Sequence, residues 1–310
     1  MSFAERGGTE YLLRDYYDPV SGVRRQKSLG PRNAETQKTF DAFVHGKADA
    51  IDRRRTAAET IQRQAAVNRA LRLGRVPDIA ARIVRALDEA GLMGAGLKII
   101  GTNTLYAYEA AAGVHFASEL TTTEDIDMLF DARAHIRLAL DEDIEERTLL
   151  GLLKRVDRSF VRTRRTYQAA NSDGYLVDLV KPERNPPWKI EKESLVDSSF
   201  DLEASPIGGL AWHESAPRFE ALAIDVRGLP VRMVVPDPRA FAVHKLWLSE
   251  EASRNPAKRR RDRMQAEAVA YLTLKYFQHL PFEVSKLKSF PKHIVEKAKP
   301  LFDVAAIHGT

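Results

Sequence analysis

Two aspartates separated by one residue, in Asp125-Ile126-Asp127, are the residues of this sequence best suited to do chemistry. Side chains alternate along a β-strand, so Asp125 and Asp127 would share one face, about 6.6 Å apart along the strand. Neighbouring carboxylates repel each other unless a positive charge lies between them, and divalent ions such as Mg²⁺ prefer oxygen ligands of this kind. The same pattern also occurs as solvated acids at a strand edge, so the metal interpretation needs supporting features.

A third acid and a glycine-containing turn give that support. Asp178 lies inside the apolar segment 175–180, where an acid is costly to bury unless it is paired or bound to a metal ion. Gly101-Thr102 follows the apolar segment 97–100 and precedes a helix-forming stretch, which directs free backbone N–H groups and a hydroxyl towards an anion. We therefore expect these residues to meet on one central sheet.

The hydrophobic pattern predicts the elements that would position these residues. Short apolar or alternating runs indicate strands at 97–100, 126–130, 162–167 and 175–180, and a β-hairpin at 218–235. Helical spacing and composition indicate helices at 79–91, 103–112 and 141–156. This order predicts an α+β fold in which a mixed β-sheet carries flanking helices.

Both ends of the chain are expected to be largely helical. Residues 9–30 carry turn residues at Asp18-Pro19 and Ser21-Gly22 and predict a β-hairpin, and residues 34–73 follow with a helical composition. After Asp237 the sequence again favours helices. These transitions predict three regions, which are an N-terminal hairpin and helical arm (1–76), a central α/β domain (77–236) and a C-terminal helical domain (237–310).

The composition excludes several classes of chemistry. The 310 residues include no cysteine, so disulfides, zinc–cysteine sites, thiol nucleophiles and thiolate-bound iron–sulfur clusters are ruled out. The P-loop pattern, Gly-x-Gly-x-x-Gly and a Ser/His/Asp order are also missing. No apolar run approaches the ~18 residues of a membrane helix and no secretory signal is visible, so we expect a cytoplasmic protein without a membrane partner.

The charge balance is mildly basic, with 48 Lys and Arg against 43 Asp and Glu and a formal net charge of +5. This balance permits a polyanionic partner such as RNA or a nucleotide without requiring one. Two segments concentrate positive charge, 52–75 and 258–263, and each is either a solvated helix face or a surface for a nucleic-acid backbone. Lys258 and Asp262 lie four residues apart on a predicted helix and are expected to pair.

Lys245 lies in an apolar helical stretch, where a lysine either extends to the surface or meets an anion. Its neighbour His244 is expected to be a packed or surface residue rather than a metal ligand. Of Tyr106 and Tyr108, on the helix after Gly101, we expect one to pack and the other to be exposed.

The order of these features resembles the DNA polymerase β-like nucleotidyltransferase superfamily, in which a strand, a Gly-Thr turn into a helix, an Asp-x-Asp strand and a later single Asp follow one another. Residues 101–114 (GTNTLYAYEAAAGV) and 123–131 (TEDIDMLFD) are similar to one bacterial branch of that superfamily. Residues 244–249 (HKLWLS), with Arg254 and Arg261-Asp262, are similar to the helical Lys…Arg…Arg-Asp signature of toxin-type nucleotidyltransferases from abortive-infection and toxin–antitoxin systems. The resemblance covers about residues 80–280.

This resemblance implies a nucleotidyltransferase-like sheet as the catalytic domain and a two-metal mechanism. Asp125 and Asp127 would bind two Mg²⁺ ions, with Mn²⁺ as an alternative, and Asp178 would complete the site of one ion and help to deprotonate the acceptor hydroxyl. Gly101 and Thr102 would hold the triphosphate of a nucleoside triphosphate (NTP) such as ATP. The cationic residues that would bind its phosphates are Lys245, Arg254 and Arg261.

Two departures from the family pattern affect these roles. The stretch from Gly101 to Asp125 is longer than in compact members, so a helix and a loop must fold back before the Asp-x-Asp strand. Gln265 stands where the toxin signature has a second acid, which leaves the role of Asp262 open.

Two functions from different classes follow. The first is an enzyme that moves a nucleoside monophosphate from an NTP to a hydroxyl acceptor, with the 3′ end of RNA or tRNA favoured over a protein side chain or a small molecule. A toxin or defence role would add an antitoxin-like protein as a partner. The second is a catalytically inactive nucleic-acid-binding or regulatory protein on the same fold, which the basic segments suggest and the three acids disfavour.

Overall fold

The computed structural model of the chain describes residues 1–17, 23–132, 148–184, 186, 188, 193–195 and 198–303. It divides into two compact units, residues 1–67 and 68–310. The boundary expected at 76/77 therefore falls inside the second unit, and the regions expected at 77–236 and 237–310 belong to that one unit.

The first unit combines a small sheet with a long helix. Strands β1 (Ser2–Arg6), β2 (Thr9–Tyr17) and β3 (Arg24–Pro31) form a three-stranded antiparallel sheet in the order β1-β2-β3. Helix α1 (Ala34–Ala70) begins where the Asn33 side chain accepts hydrogen bonds from the backbone N–H groups of Glu35 and Thr36. The expected hairpin is confirmed as β2–β3, its turn lies outside the described residues, and β1 was not expected.

The second unit carries the remaining elements. In chain order they are α2 (Asp78–Glu89), β4 (Leu97–Ile100), α3 (Thr104–Ala112), α4 (Ser118–Thr121), β5 (Asp125–Phe130), α5 (Leu149–Val156), β6 (Val161–Arg162), β7 (Gln168–Ala170), β8 (Leu176–Pro182), β9 (Ser205–Ile207), α6 (Leu210–Ser215), β10 (Arg218–Ile224), β11 (Pro230–Pro236), α7 (Pro238–Glu250), α8 (Pro256–Tyr276) and α9 (Lys292–Ala298). None of these described helices, nor α1, has the length and apolar character needed to cross a membrane.

A mixed six-stranded sheet forms the centre of this unit, in the order β4-β5-β8-β7-β6. β5 and β8 are parallel, whereas β4 is antiparallel to β5 and β7 is antiparallel to β8. β9 pairs in parallel with the second half of β8. β10 and β11 form a separate antiparallel hairpin, as expected. These elements confirm the α+β fold.

Three segments differ from the expectation. The strand expected at 162–167 is divided between β6 and β7, and residues 163–167 form the connection between them, because the Thr163 N–H already bonds to the Gln168 carbonyl. Helix α5 begins at Leu149, and the expected helical residues 141–147 lie outside the described residues. β9 and α6 were not expected, since each is too short to show a periodic pattern.

The hydrophobic core fixes which face of the sheet carries the acids. Ile126 and Met128 of β5 are fully buried and pack in one cluster with the apolar face of α2, which includes Ile83 and Leu87. Because side chains alternate along a strand, burying Ile126 and Met128 turns the flanking aspartates to the opposite face.

Candidate active site

The register of the central strands brings the three acids onto one face. Asp127 on β5 is the direct partner of Asp178 on β8 and of Ile100 on β4. Asp125 lies two residues before Asp127 and shares its face. The geometric condition for a common site, that Asp178 faces the Asp-x-Asp pair, is therefore met by strand pairing alone.

The Gly-Thr bend lies directly against these acids. Gly101 follows the last residue of β4 and adopts a positive φ of 69°, a conformation that strongly favours glycine. A Cβ at this position would overlap Asp127 Oδ2, so only glycine lets the backbone approach the carboxylate this closely. Two residues later, Asn103 Nδ2 donates to the Asp125 carbonyl oxygen at 2.7 Å and ties the bend to β5.

Asp127 and Asp178 lie in an environment that resists their ionisation. Burial and the negative charges of Asp125 and Asp178 together raise the pKa of Asp127 to about 7, against the opposing charges of Lys245 and Lys258. Burial also raises the pKa of Asp178, while a 2.8 Å hydrogen bond from Gln168 Nε2 lowers it. Asp125 Oδ1 accepts a hydrogen bond from the Thr123 hydroxyl. The result is a concentration of negative charge that an external cation would relieve.

A cationic cluster from α7, α8 and the connection between them lies in the same cleft. Lys245 and Asp262 are both buried, and Lys245 Nζ donates to Asp262 Oδ1 at 2.8 Å. The other carboxylate oxygen, Oδ2, accepts from Arg254 Nε. The described partners of Asp262 are thus Lys245 and Arg254, and the expected pair with Lys258 does not form. This arrangement gives Asp262 a role, which is to hold two cations in place.

Arg261 and Gln265 connect α8 to the far side of the bend. The Arg261 guanidinium donates to the carbonyl oxygens of Leu120 and Thr122, and its Nε is buried without a partner in the described residues. Gln265 Nε2 donates to the Leu120 carbonyl oxygen at 2.8 Å and lies 3.4 Å from Thr102 Oγ1. Gln265, found where the toxin signature has an acid, therefore supports the bend.

These residues line one cleft of about 280 Å³. All eight residues proposed from the sequence are among its lining residues, namely Gly101, Thr102, Asp125, Asp127, Asp178, Lys245, Arg254 and Arg261. Lys258 also lines it, and its positive charge acts on both Asp127 and Asp178. The cleft thus has an acidic wall on the sheet and a basic wall on the helices.

The donor chemistry of the acidic wall suits a hard divalent cation, since it offers only carboxylate oxygens. In the portion of the chain that the structure describes, however, no three Asp, Glu, His or Cys side chains form a ready-made metal cluster. The three acids are neighbours on the sheet rather than a preassembled ligand set, which fits groups that repel one another.

Sequence reasoning missed several residues of this site. Gln168, Thr123 and His213 all touch the acids or line the cleft, but they lie in short connections or elements without a periodic pattern. His244 is buried, which agrees with the expectation that it is a packed or surface residue. The expectation for the tyrosines was wrong, because both Tyr106 and Tyr108 are buried and donate to backbone carbonyl oxygens.

Comparison with known proteins agrees with this geometry. A family model described as Nucleotidyltransferase matches residues 78–290, which span the acids, the bend and both cationic helices. No curated protein and no solved structure matches the chain significantly. The family match covers more than half of the 310 residues, and the chain belongs to this nucleotidyltransferase family.

Proposed function

We propose that this protein is a Mg²⁺-dependent enzyme that transfers a nucleoside monophosphate from an NTP to a hydroxyl acceptor. The observation that carries the proposal is the cleft in which three register-aligned acids face the Gly101 bend and a set of cations that includes the buried Lys245. In an NTP bound to a divalent metal ion, the positive metal ion would complement the acids and the negative phosphates would complement the cations.

The triphosphate would lie at the end of the cleft formed by the bend and α8. Thr102 supplies a hydroxyl there, and Arg261 supplies a buried Nε–H without a partner in the described residues. Lys245 and Arg254 are held by Asp262, so their side chains are already ordered before a phosphate arrives. Preorganised cations reduce the entropy lost on binding and stabilise the charge that develops on the leaving group.

Asp125 and Asp127 would hold two Mg²⁺ ions, or Mn²⁺ in their place, and Asp178 would complete the coordination of one of them. When bound, these ions would supply charge neutralisation at the phosphates and acidify the acceptor hydroxyl. The like charges that raise the pKa of Asp127 are the same charges that would draw a divalent cation into the cleft.

The transfer is an in-line displacement at the α-phosphorus of the NTP. A bond forms between the acceptor oxygen and the α-phosphorus, and the bond between that phosphorus and the α–β bridging oxygen breaks to release pyrophosphate. The acceptor proton would pass to the Asp178 carboxylate, whose pKa is raised by burial and which Gln168 holds in orientation.

We favour RNA, and the 3′ end of tRNA in particular, as the acceptor over a protein side chain or a small molecule. The support is positive charge beside Asp178, where the acceptor would enter. Arg165 is exposed in the connection between β6 and β7, and its charge acts on Asp178. On α8, Lys258 is exposed and lines the cleft. A toxin or defence role with an antitoxin-like partner rests only on the similarity of residues 244–262 to the toxin signature.

Incubation of the protein with labelled NTPs, Mg²⁺ and total RNA would test the proposal. We expect label transfer that Asp125→Asn reduces by on the order of 10³-fold, because this variant removes an acid from the metal-binding pair. Asp173→Asn, at an exposed turn position, is the matched control and should transfer label like the wild type.

Two outcomes would contradict this function. One is the absence of transfer to RNA, protein and small-molecule fractions alike. The other is transfer that Asp125→Asn leaves unchanged. RNA binding that falls with salt but ignores NTP and Mg²⁺ would instead favour the inactive nucleic-acid-binding protein.

A further inference from the structure

The cleft has an apolar end that the proposed chemistry does not use. Strand register places Leu129 and Val180 two residues beyond Asp127 and Asp178 on the same face of the sheet. Leu129 and Val180 are buried and pack together with Ile100 and with Leu210 of α6. β4 runs antiparallel to β5, so the chain leaves β4 at Gly101 towards the opposite, Asp125 end. The acids therefore separate a phosphate end from an apolar end.

Two buried histidines form the polar part of the apolar end. His213 of α6 and His244 of α7 both line the cleft, and His213 Nε2 lies 2.8 Å from His244 Nδ1. The outer nitrogens, His213 Nδ1 and His244 Nε2, are buried and have no partner among the described residues. Buried polar atoms without a hydrogen-bond partner destabilise the folded protein, so their retention points to a ligand that bonds them.

A glycine backbone lies close against one of these nitrogens. Gly209 precedes α6 with a φ of 81°, and a Cβ there would lie 3.3 Å from His244 Nε2. With Gly208 beside it in the cleft lining, the connection from β9 to α6 places no side chain over the histidine pair.

The hydrogen bond between the rings fixes what the pair offers to a ligand. Each neutral imidazole carries one N–H and one bare nitrogen. If His213 donates to His244, then His244 Nε2 is the donor and His213 Nδ1 the acceptor; if His244 donates, the roles exchange. In either tautomer the pair therefore presents one donor and one acceptor, which matches the hydrogen-bonding edge of a nucleobase.

We propose that the His213–His244 pair binds the nucleobase of the NTP at the apolar end of the cleft. The proposal rests on the proposed function, because it assumes that an NTP occupies the cleft. The apolar residues beside the pair suit the faces of a base, and the pair's one donor and one acceptor suit the edge of a base better than a phosphate, which only accepts hydrogen bonds. Burial and the positive charges of Lys245 and Lys98 lower the pKa of His213 to about 3. Burial likewise lowers the pKa of His244 well below its usual value, so both rings are neutral at pH 7.

Calorimetric binding of two probes separates the two ends of the cleft. Each of the four NTPs, with Mg²⁺, would contact both ends, whereas inorganic tripolyphosphate with Mg²⁺ would contact only the phosphate end. We expect His244→Phe to weaken binding of the preferred NTP by about 10-fold or more while tripolyphosphate affinity stays within twofold. His115→Phe, the same substitution at an exposed histidine, should change neither affinity.

The outcomes distinguish this inference from the proposed function. Equal losses for NTP and tripolyphosphate, or an unchanged NTP affinity in His244→Phe, would overturn base binding by the pair while leaving the enzyme proposal intact. Failure of the wild type to bind any NTP would overturn both.

A measurement on the wild-type chain avoids any effect of the substitution on folding. In protein labelled with ¹⁵N-histidine, we expect NTP but not tripolyphosphate to shift the resonances of the outer nitrogens of His213 and His244. Identical spectra with the two probes would contradict the proposal.

Discussion

The two walls of the cleft differ in whether their charged side chains have partners of opposite charge within the protein. On the helical wall, buried Lys245 and partly buried Arg254 share the two oxygens of Asp262, so the charges are paired before any ligand binds. On the sheet wall, Asp125, Asp127 and Asp178 face one another, and burial with mutual repulsion raises the pKa of Asp127 to about 7. On the basic wall Lys245 and Arg254 thus have a partner within the protein, whereas the acidic wall requires a counterion.

This contrast predicts opposite stability effects for removing one acid from each wall. The larger effect is expected for Asp262→Asn, which leaves two cations without their partner in a buried site. Breaking a buried ion pair in this way costs about 3–5 kcal/mol. Urea unfolding of the variant should show that loss in the free energy of unfolding, with Asp173→Asn as the exposed control. A loss below about 1 kcal/mol would mean that the basic wall is not held by Asp262.

Asp127→Asn should act in the opposite direction. The pKa of Asp127 lies near 7 in the folded protein, above the ordinary value of 3.8, so the folded state holds its proton more tightly than the unfolded state. That contribution to stability is present below pH 3.8 and is lost as the pH rises through 7. At pH 8, with a chelator present, the variant should be more stable than the wild type by about 2–4 kcal/mol.

The measurement for Asp127→Asn is thermal or urea unfolding at pH 4 and at pH 8. The stabilisation should be near zero at pH 4 and should disappear at pH 8 when Mg²⁺ is added to the wild type, since a bound cation relieves the same repulsion. A variant that is less stable than the wild type at pH 8 would show that the acidic wall is not under electrostatic strain.

The smallest effect is expected from removing the hydrogen bond between Gln168 and Asp178. Gln168→Leu removes the bond that lowers the pKa of Asp178, so that pKa should rise further. Because the proposed proton acceptor is the ionised carboxylate, the acid limb of the transfer rate should move to higher pH. We expect a loss of about 3–10-fold at pH 6 and a smaller one at pH 8.

Gln278→Leu, at an exposed position, is the control for this change and should keep the wild-type pH profile. A uniform loss at all pH values in Gln168→Leu would indicate a purely structural role for Gln168.

The arrangement of the sheet wall could be predicted from the sequence, because it depends on residues that are close together along each strand. Ile126 and Met128 alternate with the aspartates of β5, as Val177 and Leu179 do with Asp178, so a period of two residues fixes the face of each acid. The Gly101 bend was equally visible because a short apolar strand precedes it and a helix follows.

The helical wall could be predicted only in part, because its hydrogen bonds join residues that are far apart in the sequence. Spacing along α8 suggested Lys258 as the partner of Asp262, but the observed partner Lys245 is 17 residues away on another helix. The histidine pair likewise joins two residues that are 31 positions apart. One of them, His213, lies in α6, which is too short to show a helical pattern in the sequence. Such contacts depend on how helices pack on the sheet, and a periodic pattern does not encode that packing.

The in-register pairing of β5 with β8 ties the geometry of the acidic wall to the correct alignment of the two strands. Asp127 faces Asp178 because the two parallel strands align residue for residue. If either strand were displaced by a single position, its carboxylates would be driven into the apolar interior and its aliphatic side chains into the cleft. A chain misaligned by one position would therefore lose the acidic face of the cleft and would also be destabilised by the buried carboxylates.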